Sequence, residues 1–175
     1  MLDISKLKNI QLDMLYMVHK FCVENNIRYY LTYGTLIGAI RHSGFIPWDD
    51  DIDICMPRPD YNRFIREFNM ESENLIFMSY EKDSKFPYTF GKVINTSTSL
   101  VEYTRLRYPI GVYIDVFPID DLRDTYDDSI KYFKSFKWNW LIRKAKYREL
   151  SIVKSFSKKI AVSLLKVVCF PFSVH

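Results

Sequence analysis

The chain has 175 residues, 48% of them apolar and 17% aromatic, with only 5 glycines. It is long enough to bury one good core and too rich in large apolar side chains for a disordered or low-complexity protein. Its three cysteines, Cys22, Cys55 and Cys169, are odd in number and far apart, which excludes a disulfide framework or a zinc motif and points to ordinary thiols in a reducing compartment. The net charge of +4 conceals a division: residues 1–128 hold 14 Lys and Arg against 20 Asp and Glu, or −6, whereas residues 129–175 hold 11 against 1, or +10.

Residues 5–25 place Leu7, Ile10, Met14, Met17, Val18 and Phe21 at helical spacing, which predicts an amphipathic helix with Ser5 as N-cap and its Met and aromatic positions in the core. Met1-Leu2-Asp3-Ile4-Ser5 lacks the basic start and apolar core of a secretory signal. Ile27 to Tyr33 reads as a strand, Gly34-Thr35 as a tight turn, and Leu36 to Arg41 as the opening of a short helix. Backbone donors at such a helix start bind phosphate, so Gly34 and Thr35 are candidates for holding a phosphate oxygen.

The run Trp48-Asp49-Asp50-Asp51-Ile52-Asp53-Ile54 follows a turn at Ser43 to Pro47 and crowds four carboxylates into five positions. Two like charges about 4 Å apart repel by ~1 kcal/mol in water and ~4 kcal/mol at a partly shielded site, so such a run must be solvated or bridged by a cation. On a strand from Asp51 to Met56, Asp51 and Asp53 project from one face while Ile52 and Ile54 pack behind them, and the two carboxylates hold one hard metal ion. A solvated acidic turn is the plainer alternative. A calcium-binding helix-loop-helix is excluded, because its sixth and twelfth positions would be Ile54 and Asp60 instead of Gly and Glu.

Pro57 to Asp60 turns the chain into a helix ending near Phe68, and Leu75–Ser79, Tyr88–Asn95 and Thr98–Val101 read as strands. Val112 to Phe117 is a further alternating strand with one acid, Asp115, among apolar residues. A lone carboxylate there needs a partner or a metal, which makes Asp115 the natural third ligand. Residues 127–148 and 151–169 are helical in pattern, and the longest apolar run, Ile160 to Phe172, is broken by Ser163 and Lys166, short of the ~18 residues of a membrane span. These features predict a cytoplasmic α+β protein: a domain over 1–128 with a mixed sheet flanked by helices, and a basic helical segment over 129–175. That segment, with Trp138, Trp140, Phe156, Leu164 and Leu165 among its lysines, suits an anionic membrane surface or a phosphorylated glycan, with nucleic acid as the less favoured partner and a solvated basic face as the alternative.

The wording Tyr33-Gly34-Thr35-Leu36-Ile37-Gly38-Ala39-Ile40-Arg41-His42, then Gly44-Phe45-Ile46-Pro47-Trp48-Asp49-Asp50-Asp51-Ile52-Asp53, with Phe90-Gly91-Lys92-Val93 and Asp115-Val116-Phe117-Pro118, closely resembles the LicD family of phosphocholine transferases, in the nucleotidyltransferase superfamily, to which fukutin-related proteins are also similar. The resemblance runs from about Ile4 to about Asp121. It implies a nucleotidyltransferase-like fold in which Asp51, Asp53 and Asp115 bind Mg²⁺ or Mn²⁺, one of them serving as base. It further implies CDP-choline as donor, a sugar hydroxyl of lipopolysaccharide or teichoic acid as acceptor, and CMP as leaving group. Gly34, Thr35, Arg41 and Lys92 are the candidates for donor phosphate, with a surface lysine as the plainer reading of Lys92. His42 reads as structural or solvent-facing. Trp48, with Tyr29, Tyr30 and Tyr33, could face the quaternary ammonium, although core packing is the favoured reading for these aromatics. Family members usually continue beyond the point where this chain stops, so a shortened protein is expected. Two other functions stay open: a nucleotidyltransferase moving a nucleoside monophosphate onto a small molecule or RNA, and a non-catalytic, membrane-docked family remnant.

Overall fold

A computed structural model describes residues 3–86, 88–100, 111–122, 124–147 and 155–169. These fall into two compact units, one reaching Leu100 and resuming through Asp121, the other containing the residues from Leu122 onward.

The first unit begins with α1 (Ile4–Glu24). Its N-cap is Asp3, whose side chain accepts from the Ser5 amide, so Ser5 lies inside the helix and not at its cap. Met14, Val18 and Cys22 form its buried stripe, with Leu7, Ile10, Met17 and Phe21 packed at the margins, the face expected from the helical spacing. The predicted strand after it shrinks to β1 (Tyr30–Leu31), and α2 starts at once (Tyr33–His42). Gly34 and Thr35 are therefore in the first turn of a helix and not in a turn that precedes one. The junction is made by Tyr33, whose φ of 47° lies in the left-handed region that a bulky side chain disfavours.

β2 (Asp53–Pro57) leads directly into α3 (Arg58–Glu67), with Pro59 in the first helical turn, where its missing N–H is harmless. A 3-10 turn (Glu71–Glu73), β3 (Leu75–Met78), β4 (Gly91–Asn95) and β5 (Tyr113–Ile119) complete the unit. The strand expected over Thr98–Val101 does not form at Thr98 and Ser99, and Val101 lies outside the described residues.

The sheet runs β1-β2-β5-β4-β3. β2 and β5 are parallel, and the other pairs are antiparallel, so the fold is α+β with a mixed sheet. Ile54, Met56, Val93, Ile114 and Val116 join Tyr61, Phe64 and Phe77 in one core with the α1 stripe. Because strand side chains alternate, Asp53, Asp115 and Lys92 project from the opposite face. Gly91 sits on the core side against the Phe77 ring, which lies 2.1 Å from where a Cβ would be.

The second unit contains α4 (Tyr126–Tyr147) and α5 (Phe156–Cys169), which pack on each other. The start of α5 expected at Ser151 lies outside the described residues. Lys131, Lys134, Lys137, Lys158 and Lys159 are exposed, as are Phe133, Phe136 and Leu164. The side chains of Trp138, Trp140, Phe156 and Leu165 also lie outside the described set. No helix among the described residues is long and apolar enough to cross a membrane.

Candidate active site

Strand register assembles the acids. Asp53 on β2 is the partner of Asp115 on β5, and Asp115 is in turn the partner of Lys92 on β4. Residues paired in this way project from the same face, so a row Asp53, Asp115, Lys92 crosses three adjacent strands. Asp51 lies just before β2 and keeps its alternation: Asp51 and Asp53 are half-buried while Ile52 and Ile54 are fully buried. The structure therefore sets Asp115 beside Asp53, and the charges of Asp51 and Asp115 both act on Asp53, but among the described residues the three expected ligands do not close into one group within 4.8 Å, as Asp49, Asp50 and Asp51 do.

The first turn of α2 meets this row. The Thr35 hydroxyl accepts a hydrogen bond from the Asp53 amide at 2.8 Å, and the Thr32 amide donates to the Asp53 carbonyl. One threonine thus ties the helix start to the strand that carries the acid, with its hydroxyl proton left to donate. Gly34 has a different task. A Cβ on it would crowd Asp49 Oδ2 out of its present position, so glycine leaves room for the Asp49 carboxylate at the helix start, where the macrodipole favours a negative charge.

Asp49 was not among the candidate ligands, yet carboxylate oxygens of Asp49, Asp50 and Asp51 lie within 4.8 Å of one another. Asp50 is exposed, whereas Asp49 and Asp51 are half-buried. The signal for Asp49 was present in the run of acids, but sequence does not reveal that Gly34, fifteen positions earlier, makes room for it.

Crowding perturbs the acids. Burial pushes the Asp53 carboxyl up to about 7, helped by the charges of Asp51, Asp115 and Asp49 and opposed by Lys92. Asp51 is also raised, first by burial and then by Asp49, which both repels it and shares a hydrogen bond with it. Carboxylates held this way against their own repulsion suit a divalent cation, and the hard oxygen donors fit Mg²⁺ or Mn²⁺. Cys55, two residues past Asp53, is half-buried with its thiol raised, first by burial, and among the described residues it joins no cluster of metal-ligating side chains.

Lys92 departs from its expected place. It is 2% exposed, and its Nζ lies 2.6 Å from Asp115 Oδ1 and 3.3 Å from the centroid of the Tyr113 ring. It is not a surface lysine, and its ammonium is engaged with a carboxylate. Phe90 and Tyr88 also face the ammonium, and ring contacts run from Tyr88 through Phe90 and Phe117 to Tyr33, walling one side of the acid row.

Other candidates lie apart. Arg41 is exposed in the last turn of α2, seven residues and so about 10 Å along the axis from Gly34, and the structure does not group it with the acids. His42 is exposed beside it, as expected for a solvent-facing residue. Trp48 is 81% exposed and Tyr33 62%. The core-packing reading is therefore wrong for both, and for Tyr30, which is also exposed; Tyr29 is half-buried and bonded to His19. Beside Gly34, Thr35 and Asp49 lies a cavity of about 320 Å³ whose other walls are mainly apolar, including Leu12, Leu15, Leu31 and Phe45.

A pair of carboxylates on adjacent parallel strands, tied to the first turn of a helix, sets oxygen donors beside the open N–H groups of a helix start. The chain belongs to the family described as LicD/FKTN/FKRP, nucleotidyltransferase domain, whose model matches residues 26–158. It is 38% identical over 111 residues to the lipopolysaccharide cholinephosphotransferase LicD of Haemophilus influenzae, an alignment covering 62% of this chain and 41% of that protein. It is 29% identical over 140 residues to an uncharacterized protein of Rickettsia prowazekii, covering 65% of this chain and 53% of the relative. The chain thus spans about half the length of the curated relatives it matches.

Proposed function

We propose that this chain carries the catalytic domain of a metal-dependent phosphotransferase that moves phosphocholine, or a related phospho-substituent, from CDP-choline or a similar donor to a sugar hydroxyl of a cell-surface glycan. The observation that carries the reading is the paired Asp53 and Asp115, with the acids Asp49 to Asp51 leading into them, set against the first turn of α2. The name of the Haemophilus relative supplies the group transferred.

In this reading Asp51, Asp53 and Asp115 hold Mg²⁺ or Mn²⁺, and Asp49 joins them from above Gly34. When bound, the ion draws off charge developing on the leaving phosphate. The Gly34 and Thr35 amides and the Thr35 hydroxyl orient a donor phosphate oxygen at the positive end of the helix. Asp53, with a pKa of about 7, is half-ionised at neutral pH when no cation is bound. One of the row's carboxylates accepts the proton of the acceptor hydroxyl as it attacks the phosphorus bearing choline, and CMP leaves. The aromatic wall that ends at Tyr33, with exposed Trp48 nearby, offers π faces to a quaternary ammonium.

We place the protein in the cytoplasm, with residues 1–128 as the catalytic domain. The basic stretch 129–175 would meet the anionic inner membrane face, where a lipid-linked glycan is presented; nucleic acid is the disfavoured partner. Incubation with CDP-choline, Mg²⁺ and glycan acceptors, read by mass, tests the reading. CMP release with phosphocholine on the sugar supports it. CMP transferred onto the acceptor would instead make the protein a nucleotidyltransferase, and donor binding without turnover would leave a non-catalytic family remnant.

A further inference from the structure

The cavity of about 320 Å³ beside Gly34 and Asp49 has no part in the phosphate and metal chemistry described so far. Leu12 and Leu15 of α1, Leu31 of β1 and Phe45 of the loop after α2 make it mainly apolar, and Asp49 is the charged residue in its lining. Leu12 stands 47% exposed at its edge, and apolar wall left facing water favours an apolar occupant.

The wall is held in place from several sides. The Asp49 amide donates to the Ile46 carbonyl at 3.0 Å, which closes a turn over residues 46–49 with Pro47 at its second place, where proline favours turns. Lys8 of α1 reaches that turn, donating to the Ile46 and Pro47 carbonyls at 3.3 and 3.2 Å, and its ammonium lies 5.1 Å from the centroid of the Phe45 ring. From the other side α2 approaches backbone to backbone: a Cβ on Gly38 would lie 2.4 Å from the Gly44 carbonyl oxygen. Both helices thus fix the loop that carries Phe45 and Asp49, and a pocket held this way needs little ordering when it binds.

Chemistry narrows the occupant. At about 320 Å³ the cavity lies at the lower end of the range for small-molecule sites, about 300–1,000 Å³, so it suits one end of a ligand better than a whole nucleotide-linked donor. A plain hydrocarbon would press against the Asp49 carboxylate with nothing to compensate the charge. A primary ammonium is compact and strongly hydrated, and it would lose that water against leucine walls. A methylated ammonium meets both demands. Its surface is C–H, and its charge answers Asp49 together with Asp50 and Asp51, whose carboxylate oxygens lie within 4.8 Å of those of Asp49.

We infer that this cavity is the subsite for the quaternary ammonium end of the donor, with Asp49 as its counter-charge. The inference rests on the phosphocholine-transfer reading. It moves the ammonium from the exposed Trp48 face into the cavity, and it gives Asp49 to the ammonium in place of the metal. Gly34 and Thr35 border the cavity and also form the helix start. Two carbons and an oxygen separate nitrogen from phosphorus in phosphocholine, so one short group spans both places.

Choline is the probe, compared with its neutral carbon isostere and with ethanolamine, its unmethylated counterpart. Each is titrated into the intact chain and read on leucine methyl groups by nuclear magnetic resonance. Choline should shift the methyls of Leu12, Leu15 and Leu31 and bind at least about tenfold more tightly than either comparison compound. Asp49→Asn should remove the preference over the neutral isostere, and Leu15→Trp, which fills the cavity, should abolish the shifts at Leu12 and Leu31. No shift of these methyls by choline up to tens of millimolar overturns the inference, as does equal binding of the isostere by the parent. A choline response lost in Trp48→Ala but kept in Asp49→Asn also overturns it, whether or not Leu15→Trp folds. Phosphocholine transfer with no choline response at these leucines strikes this subsite and leaves the transferase reading standing. Choline seated among them without turnover keeps the subsite and strikes the transferase reading instead.

Discussion

The two units of the chain carry opposite charge in opposite ways. In the sheet unit a few charges are constrained: Asp53, Asp115 and Lys92 are fixed by strand register, with Asp115 and Lys92 buried and Asp53 half-buried. In the helical unit, Lys131, Lys134, Lys137, Lys158 and Lys159 stand in solvent along α4 and α5. Burying charge is unfavourable unless it is paired or neutralised, so the first arrangement persists only where something binds to it or is balanced within it. The second costs almost nothing and is compatible with a solvated face as well as with an anionic partner. The contrast separates a site from a surface by environment, where charge counting alone would give both regions equal weight.

The largest expected effect comes from removing charge at the constrained end. Asp53→Asn should lower turnover by roughly a thousandfold or more, because a bound cation contributes several kcal/mol of transition-state charge stabilisation. The rise in melting temperature that millimolar Mg²⁺ gives the parent should vanish. Without metal, the same variant should melt no lower than the parent, since it removes one member of a mutually repelling set. A variant that keeps both the metal response and turnover would place the site elsewhere.

Gly34→Ala tests whether the helix start must admit Asp49. The new methyl group would meet Asp49 Oδ2, an outer side-chain atom that can swing aside, so stability should change by less than about 1 kcal/mol, the strain being offset by alanine's helix preference over glycine, while the carboxylate is displaced from the helix start. Turnover should fall by up to roughly a hundredfold, as expected for a misplacement of about 1 Å at the reacting centre. Denaturant melts and steady-state rates read the two effects separately. Unchanged kinetics would detach Asp49 from the chemistry.

The raised Asp53 carboxyl makes stability depend on pH. The Asp53 carboxyl is raised to about 7 in the folded chain, against about 4 for an unfolded aspartate. Between those values the folded state binds more protons than the unfolded state. The stability this group contributes is therefore fully present below pH ~4 and is lost as pH rises through about 7. Saturating Mg²⁺ should flatten that decline, since the cation replaces the proton. Melting temperatures from pH 4 to 8, with and without Mg²⁺ and in Asp53→Asn, check it; a metal-free parent with no downward slope, or one that Asp53→Asn retains, contradicts the assignment.

The smallest effect is expected at the surface. Changing Lys131, Lys134, Lys158 and Lys159 to Glu should leave the melting temperature nearly unchanged and turnover on a soluble acceptor within about twofold, as for exposed positions generally. Co-sedimentation with anionic vesicles should be lost, because each basic group near such a surface contributes about 1 kcal/mol. In the parent, that binding should weaken as screening shortens to about 8 Å. Equal partitioning onto neutral and anionic vesicles would reduce α4 and α5 to a solvated face.

The local content of the chain was legible in its sequence. The α1 stripe, the alternation Asp51, Ile52, Asp53, Ile54 and the isolation of Asp115 are patterns of period 3.6 and 2, and such periods survive folding because they follow from backbone geometry. Motif wording identified the family from the same residues. What sequence could not supply was adjacency between distant segments. That Lys92 neutralises Asp115 follows from the pairing of β4 with β5, and an internal lysine reads like a surface one until its strand partner is known. The role of Gly34 depends on a carboxylate fifteen residues later. The shortening of β1 to two residues and the left-handed Tyr33 follow from α2 having to start at the edge of β2. Trp48 and Tyr33 were assigned to the core by composition, yet they stand exposed beside the acids, because the apolar content of a chain fixes how much surface must be buried and only tertiary packing selects which aromatics are left out.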